Sequence, residues 1–213
     1  MRISVFGAAG KVGSRIVGEA LSRGHDVTAV VRNPARFREL SAAANARVGD
    51  AANLQDVVQL SLGQDVVVNA TRPLTSDAQE VLRITRALMD GLASTGARLL
   101  IVGGAASLRV PGANGRMVID DPNFLSPSAR HIGQASFDQF EACRSETRVD
   151  WTYLSPPAEL LPGVRTGEYR LGGDELLLDQ QGRSRISMED LAVALLDEVE
   201  QPRHHQTRFT AAY

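Results

Sequence analysis

Lysine, cysteine and tyrosine are scarce in this chain of 213 residues. Lys11 is the single lysine, and Cys143 is the single cysteine, which excludes an internal disulfide and suggests a small core residue. None of the three tyrosines is followed by a lysine four positions later. The chain therefore lacks a lysine-activated tyrosine for proton transfer to a carbonyl or alcohol substrate, which disfavours an ordinary alcohol dehydrogenase or sugar epimerase.

Strong net charge and long apolar runs are also missing. The formal net charge is −2 and the isoelectric point is about 6.1, so the chain has no overall attraction to nucleic acid or anionic membranes. No apolar run approaches a membrane span, and residues 1–6 already belong to a predicted strand, which leaves no room for a signal peptide. We expect a cytoplasmic protein without a nucleic-acid or membrane partner.

The remaining composition indicates one globular unit. With 43% hydrophobic residues the chain can bury a substantial core, so residues 1–213 are predicted to form one domain. His204 and His205 are adjacent and lack further ligand spacing, so no metal site is predicted.

The most informative pattern that is present lies near the N-terminus. An apolar strand at residues 2–6 runs into Gly7-Ala-Ala-Gly10-Lys-Val-Gly13 and then into a helical pattern. The first glycine permits a tight turn, the second lets the backbone approach a pyrophosphate, and the third lets the helix pack on the strand. A plain strand-to-helix turn is the alternative. The pattern predicts a nicotinamide-dinucleotide site lined by Gly7, Ala9, Gly10, Lys11, Val12 and Gly13.

Apolar runs of strand length alternate with helical patterns, which predicts an α/β fold with a Rossmann-like doubly wound parallel sheet. The predicted strands cover residues 3–6, 27–31, 46–48, 66–68, 99–102, 151–154 and 208–210. Helical periodicity covers residues 77–93, 126–146 and 191–199. N-cap side chains are expected at Asn53, Ser76, Ser126 and Ser187.

Two regions break this alternation. Residues 155–185 place prolines and glycines between strand-like pieces at 168–171 and 175–178, which predicts a small C-terminal substrate lobe over the cofactor cleft. The connection at residues 103–125 has little periodicity, which is typical of functional lids or mobile segments. We expect both regions to shape an acceptor pocket, with Gly103 and Pro156 beside the cofactor.

Several segments in combination resemble a known family over nearly the whole chain. They are the glycine motif, Val30-Val-Arg-Asn-Pro34, Val48-Gly-Asp50, Val102-Gly-Gly-Ala-Ala-Ser107, Trp151-Thr-Tyr-Leu-Ser-Pro-Pro157, Thr166-Gly-Glu-Tyr-Arg-Leu-Gly-Gly173, Arg185-Ile-Ser187 and Arg208-Phe-Thr210. Together they resemble the atypical short-chain dehydrogenase/reductases, particularly NADH-flavin reductase-like, biliverdin reductase B-like and NmrA-like proteins. The resemblance implies a Rossmann fold, bound NADP(H) or NAD(H), and in some members reduction of flavins or similar planar acceptors.

The end of the second predicted strand indicates which dinucleotide is bound. A site selective for NAD would place an acidic residue there, but this chain has Arg32 and no acidic residue between Val27 and Arg38. Arginine can make bidentate contacts with a 2′-phosphate, and Lys11 could add a second positive charge. NADP(H) is favoured over NAD(H). The alternative is that Arg32 lies on a solvated face.

Further cofactor contacts are expected beyond the second strand. The resemblance implies that Asp50 or the amide of Ala51 holds the adenine, whereas a turn aspartate is the alternative. Ala70 and Thr71 follow the fourth strand, where strand ends line the ligand crevice of such sheets.

Two side chains are candidate proton donors. Ser107 follows the fifth strand, where related reductases also place a serine, and capping of a local turn is its alternative role. His131 could titrate near neutral pH, although a surface or core-edge histidine is the more common case. Tyr153 lies within a strand and is expected to face the core.

The sequence favours one function and leaves two others open. The leading hypothesis is an NADP(H)-dependent oxidoreductase that passes hydride to a flavin such as FMN or FAD, a quinone or another planar small molecule. A non-catalytic NADP(H)-binding redox sensor is the main alternative, and an epimerase or dehydratase is the third. Either a monomer or a homodimer is compatible with the pattern.

Overall fold

The computed structural model describes residues 1–72 and 78–213, and these residues alternate between strands and helices. The strands are β1 (Arg2–Phe6), β2 (Asp26–Val31), β3 (Asn45–Val48), β4 (Val66–Asn69), β5 (Arg98–Val102), β6 (Trp151–Ser155), β7 (Glu159–Leu161), β8 (Arg170–Gly172), β9 (Arg185–Ser187) and β10 (Thr207–Ala212). The α-helices are α1 (Lys11–Ser22), α2 (Leu54–Ser61), α3 (Ala78–Thr95), α4 (Arg130–Arg144) and α5 (Met188–Glu200).

The main sheet has eight strands in the order β3-β2-β1-β4-β5-β6-β10-β8. All neighbouring pairs are parallel except β10 and β8, which are antiparallel. The chain moves outward in one direction from β1 to β3 and then crosses back to β4 on the other side of β1. The carboxyl ends of β1 and β4 therefore form the crevice at which sheets of this type bind ligands. The predicted doubly wound α/β fold is confirmed.

Helices cover both faces of the sheet because its central strands are apolar on both sides. On one face α1 packs against α5, and their cluster includes Ile16 and Leu195, both fully buried. On the other face α3 packs between α2 and α4, with Leu88 and Trp151 in the cluster. Burial on both faces explains why the strands are continuous apolar runs instead of alternating patterns.

The predicted helix caps have different outcomes. The Asn53 side chain accepts hydrogen bonds from the backbone N–H groups of the α2 first turn, and the Ser187 hydroxyl accepts one from Asp190 N. The prediction at Ser126 is wrong: a short 3-10 turn, Pro127–Ala129, comes first, α4 begins at Arg130, and the Ser126 side chain caps neither element. Ser76 lies outside the described residues.

The region 155–185 is joined to the rest of the fold by two strand pairings and one isolated bridge. β7 pairs with β9 in a separate parallel ladder, while β8 extends the main sheet. Residues 175–178, predicted to be strand-like, are not a strand: Glu175 forms one isolated bridge with Arg109. Leu176 explains this difference, because it turns inward and is buried against Leu108, Val110 and Val118. The long connection at 103–125 thus has an apolar cluster of its own.

A buried carboxylate anchors residues 163–168 to the start of α5. Asp190 is fully buried and accepts hydrogen bonds from Thr166 N, Thr166 Oγ1, Gly167 N and the Tyr213 hydroxyl. Burial alone would raise the pKa of Asp190, but these hydrogen bonds outweigh it and lower that pKa. An ion pair between Arg165 and Glu19 fastens the same segment to α1.

Candidate cofactor-binding site

Two glycines of the motif, Gly7 and Gly13, are required by the backbone packing of the fold, independently of any ligand. Gly7 has a φ angle of +81°, and a Cβ atom there would lie 2.6 Å from the carbonyl oxygen of Ala70. A Cβ atom at Gly13 would lie 2.1 Å from the carbonyl oxygen of Gly7. The turn from β1 into α1 and its packing beside the end of β4 therefore exclude side chains at both positions.

Gly10 differs from its two neighbours. A Cβ atom at Gly10 would meet the Gly7 carbonyl oxygen at 3.1 Å and the Ala70 carbonyl oxygen only at 4.0 Å. Its φ of −73° is open to any residue. A Cβ atom at Gly10 is tight only against the Gly7 carbonyl oxygen, so the fold restricts Gly10 less than Gly7 or Gly13, and the rest of a side chain would fill the space beside the loop. A pyrophosphate that approaches the backbone closely needs this space to be free of side-chain atoms.

The start of α1 complements that space electrostatically. Gly10 occupies the N-cap position, no side chain caps the helix, and no acidic residue lies in its first turn. The first-turn N–H groups and the positive end of the helix dipole are then available to an anion. Among the described residues the Lys11 ammonium group has no hydrogen-bond partner, and it lies exposed at this helix start. The residues fit a dinucleotide pyrophosphate.

Two arginines lie beside this loop at the end of β2. Arg32 follows β2 directly, is 49% exposed, and its Nη1 donates to Glu80 Oε1 of α3 at 3.1 Å. Arg36 Nη2 donates to the carbonyl oxygen of Ala9 at 2.6 Å and pairs with Glu39. Arg32 thus lies at the end of β2, and its contact with an adenosine 2′-phosphate stays a prediction. The tie from Arg36 to the glycine loop and the presence of Glu80 were missed by the sequence analysis.

The segments after β3 and β4 border the same crevice. Asp50 Oδ1 accepts a hydrogen bond from Ala52 N, so this carboxylate closes a turn, and its contact with adenine stays a prediction. Ala51 is buried beneath it. Ala70 contacts the glycine loop, and Asn69, which is buried, accepts from both the N–H and the hydroxyl of Thr71. Asn69 therefore positions Thr71 beside Gly7.

Tyr153 and Ser136 explain the two glycines that follow β5. A Cβ atom at Gly103 would lie 1.9 Å from the Tyr153 ring, and one at Gly104 would lie 2.5 Å from Ser136 Oγ. Gly104 N donates to the Tyr153 hydroxyl at 3.2 Å. That hydroxyl donates to Ser136 O, and burial raises the pKa of the phenol. Tyr153 therefore holds the backbone at the crevice and is not a proton donor. Pro156, predicted to contact the cofactor, is buried directly after β6.

The two candidate proton donors occupy different environments. Ser107 is buried, and its Oγ accepts a hydrogen bond from Arg208 Nη1 at 2.8 Å. Arg208 also pairs with Asp174 and lies over the Phe140 ring. His131 is exposed near the start of α4, and no contact among the described residues joins it to Ser107. Arg208 was quoted only as part of a terminal motif, although a basic residue inside a buried strand signals a buried partner.

Ser107 also lines a cavity of about 250 Å³ together with Phe140, Trp151 and Thr207. Trp151 and Thr207 begin β6 and β10, so this cavity lies toward the amino ends of the strands. The dinucleotide crevice lies at their carboxyl ends. The cavity is therefore separate from the glycine loop, and its Arg208 is already paired.

Other reactive groups among the described residues are structural. Cys143 is fully buried, and burial raises its pKa to about 12, so it is a core residue as predicted. No group of three or more histidine, cysteine, aspartate or glutamate side chains is arranged to hold a metal ion in residues 1–72 and 78–213. Within the same residues, no helix has the length and apolar character needed to cross a membrane.

Comparisons with known proteins agree with this geometry. The model of a family described as NAD(P)H-binding matches residues 7–202. YwnB of Bacillus subtilis (strain 168), an uncharacterized protein, is 38% identical over 220 residues, which cover 99% of this chain and 97% of YwnB.

Two solved structures are also similar to this chain over its full length. A candidate epimerase from Bacteroides thetaiotaomicron is 37% identical with a TM-score of 0.90, covering 100% of this chain and 96% of that one. A candidate NADH-flavin reductase from Streptococcus pneumoniae TIGR4 is 30% identical with a TM-score of 0.89, covering 100% and 99%. This chain therefore belongs to the NAD(P)H-binding family and has its Rossmann-like, oxidoreductase-type fold.

Proposed function

We propose that this protein is an NADP(H)-dependent oxidoreductase that passes hydride to a flavin, a quinone or a similar planar acceptor. The observation that carries the proposal is the position of Arg32 and Arg36 beside an uncapped glycine loop, with no acidic residue at the end of β2 itself. The guanidinium group of Arg32 at this edge favours a dinucleotide with an additional phosphate, while that of Arg36 is engaged with Ala9 O and Glu39 and holds the loop.

Each part of the crevice has a role in holding the cofactor. The first-turn N–H groups of α1 would bind the pyrophosphate, and Arg32 would bind the 2′-phosphate. Ala70 and Thr71 would lie beside the part of the cofactor that leads from the pyrophosphate to the nicotinamide. When bound, the reduced nicotinamide supplies a hydride. The residues Gly103, Gly104 and Pro156 would limit where the acceptor ring can lie.

The chemistry proposed for the acceptor matches the groups that the chain offers. Reduction of a carbonyl needs a proton donor at the reacting oxygen, whereas a flavin accepts hydride at a ring nitrogen and can take its second proton from water. The Tyr153 hydroxyl donates its hydrogen bond to the carbonyl oxygen of Ser136, and the Ser107 hydroxyl accepts one from Arg208. The protein would then act by positioning two rings face to face while its backbone excludes water from one side.

The deciding experiment follows NADPH and NADH absorbance during incubation with FMN, FAD, riboflavin and simple quinones. We expect oxidation of NADPH with at least one of these acceptors and slower oxidation of NADH. Tight NADPH binding without turnover on any acceptor would favour the redox sensor instead. Turnover of a sugar nucleotide without net NADPH oxidation would favour an epimerase.

The rest of the proposal concerns the setting of the reaction. A small planar molecule is the proposed partner, the cytoplasm is the proposed location, and a monomer or homodimer is the proposed state. Cell fractionation with an antibody to the native chain tests the location, and light scattering at several concentrations tests the state.

A further inference from the structure

Glu80 is the residue of α3 that faces the proposed phosphate site. Its side chain is 17% exposed, while that of Arg32 is 49% exposed, and Arg32 Nη1 lies 3.1 Å from Glu80 Oε1. The two residues are 48 positions apart, so the pair connects α3 with the end of β2. Glu80 is the more buried of the two partners, so its carboxylate has less freedom to move than the Arg32 guanidinium.

This ion pair bears directly on the choice of dinucleotide. Glu80 Oε1 takes one N–H group of the Arg32 guanidinium, that on Nη1, so a 2′-phosphate bound by Arg32 must displace the carboxylate or bind beside its negative charge. A dinucleotide with a free 2′-hydroxyl has no such requirement and leaves the pair intact. A carboxylate from α3 therefore contacts the arginine at the end of β2.

We propose that Glu80 is a specificity-determining residue that weakens the preference of this site for NADP(H) by holding Arg32. The inference rests on the proposed function, in which Arg32 binds the 2′-phosphate. Removing the charge at position 80 releases Arg32 for the phosphate and changes nothing that an unphosphorylated ribose contacts.

The neighbouring pair of Arg36 and Glu39 provides a matched control. Glu39 also neutralises an arginine beside the glycine loop, but it is 43% exposed and lies three residues from its partner on the same short 3-10 helix, Pro34–Glu39. Arg36 also donates a hydrogen bond to Ala9 O, and this bond does not involve Glu39. Glu39→Gln also removes one carboxylate charge beside the loop but leaves the contact between Arg32 and Glu80 intact, so it controls for a general change in charge.

The test measures calorimetric Kd values for NADPH and NADH with the wild-type chain and with Glu80→Gln, Glu80→Ala, Glu39→Gln, Arg32→Ala and the Arg32→Ala/Glu80→Gln double variant. We expect Glu80→Gln and Glu80→Ala to tighten NADPH by about three- to tenfold, the range for an exposed ion pair that competes with a dianion, and to change NADH less than about twofold. Glu39→Gln should change both less than about twofold. Thermal unfolding identifies any variant that fails to fold.

Several results would overturn the inference. Unchanged NADPH affinity in both Glu80 variants would do so, as would equal tightening by Glu39→Gln. A gain that persists without Arg32 would indicate simple charge repulsion, and weaker NADH binding would make Glu80 a ribose ligand. The proposed function fails separately, when Arg32→Ala alone weakens both dinucleotides equally.

Discussion

The guanidinium of Arg208 donates a 2.8 Å hydrogen bond to the hydroxyl of Ser107, across 101 residues of sequence. Arg208 enters from β10 and Ser107 from the loop after β5, so this contact fastens the loop to the far half of the sheet. A serine that resembles a catalytic donor by its place in the sequence therefore has a structural partner.

This environment predicts the effect of removing the candidate donors. We expect Ser107→Ala and His131→Ala each to lower kcat for flavin reduction by less than about tenfold, because neither side chain is placed as a general acid, whose loss costs roughly 10²–10⁴. Steady-state kinetics at saturating NADPH provide the measurement. Near-complete loss of activity in either variant with intact NADPH binding would identify a true proton donor.

The glycine motif separates into positions for the ligand and positions for the fold. Gly10→Val should abolish dinucleotide binding while the chain still folds, because its side chain would fill the space beside the loop and its Cβ would meet the Gly7 carbonyl oxygen at 3.1 Å, a milder contact than at Gly13. Gly13→Ala is the contrasting variant: its Cβ overlaps the Gly7 carbonyl oxygen, so we expect about 1–3 kcal/mol of lost stability. Calorimetric binding and thermal unfolding measure the two effects, and normal affinity in folded Gly10→Val would remove the loop from the site.

Arg32 should control cofactor preference. A charge-assisted hydrogen bond contributes about 1.5–3 kcal/mol, so Arg32→Ala should weaken NADPH by roughly ten- to a hundredfold. NADH should change little, because it has no 2′-phosphate for this side chain to bind. Calorimetric Kd values for both cofactors decide the matter, and equal losses would mean that Arg32 only positions the loop.

Asp190 should make the fold sensitive to acid. Its pKa is lower in the folded chain than in the unfolded chain, so the unfolded state binds more protons once the pH approaches about 4. Its stabilising contribution is present above that pH and is lost as the pH falls through the folded-state pKa. Urea unfolding between pH 3 and pH 6 should therefore show a steep loss of stability in the wild type.

Asp190→Asn should remove part of that pH dependence and cost about 2–4 kcal/mol at neutral pH, because a buried acceptor of several hydrogen bonds loses its charge. Asp120→Asn, which changes an exposed carboxylate paired with Arg130, is the control and should have little effect. The same pH slope in wild type and Asp190→Asn would contradict the assignment.

Local patterns in the sequence were sufficient to predict the order of strands and helices, the glycine loop and two helix caps. The apolar runs, the glycine spacing and the caps at Asn53 and Ser187 depend on neighbours within a few residues, and the structure has them where they were predicted. The start of α4 was misplaced because Pro127 favours a helix-like turn locally, although that turn is 3-10 and not yet the α-helix.

Contacts between distant residues were decided only by the tertiary structure. The segment 175–178 has a strand-like composition, but Leu176 is used to bury a cluster with Leu108. Glu80 meets Arg32 because α3 begins after β4, whose carboxyl end lies on the same edge of the sheet as that of β2, and Ser107 meets Arg208 because β10 lies next to β6. The sequence by itself determined the glycine loop, the alternation of elements and the absence of a tyrosine–lysine pair, since each is local. The folded chain decided which charged groups face the cofactor site, because charges far apart in sequence interact only after the sheet has brought them together.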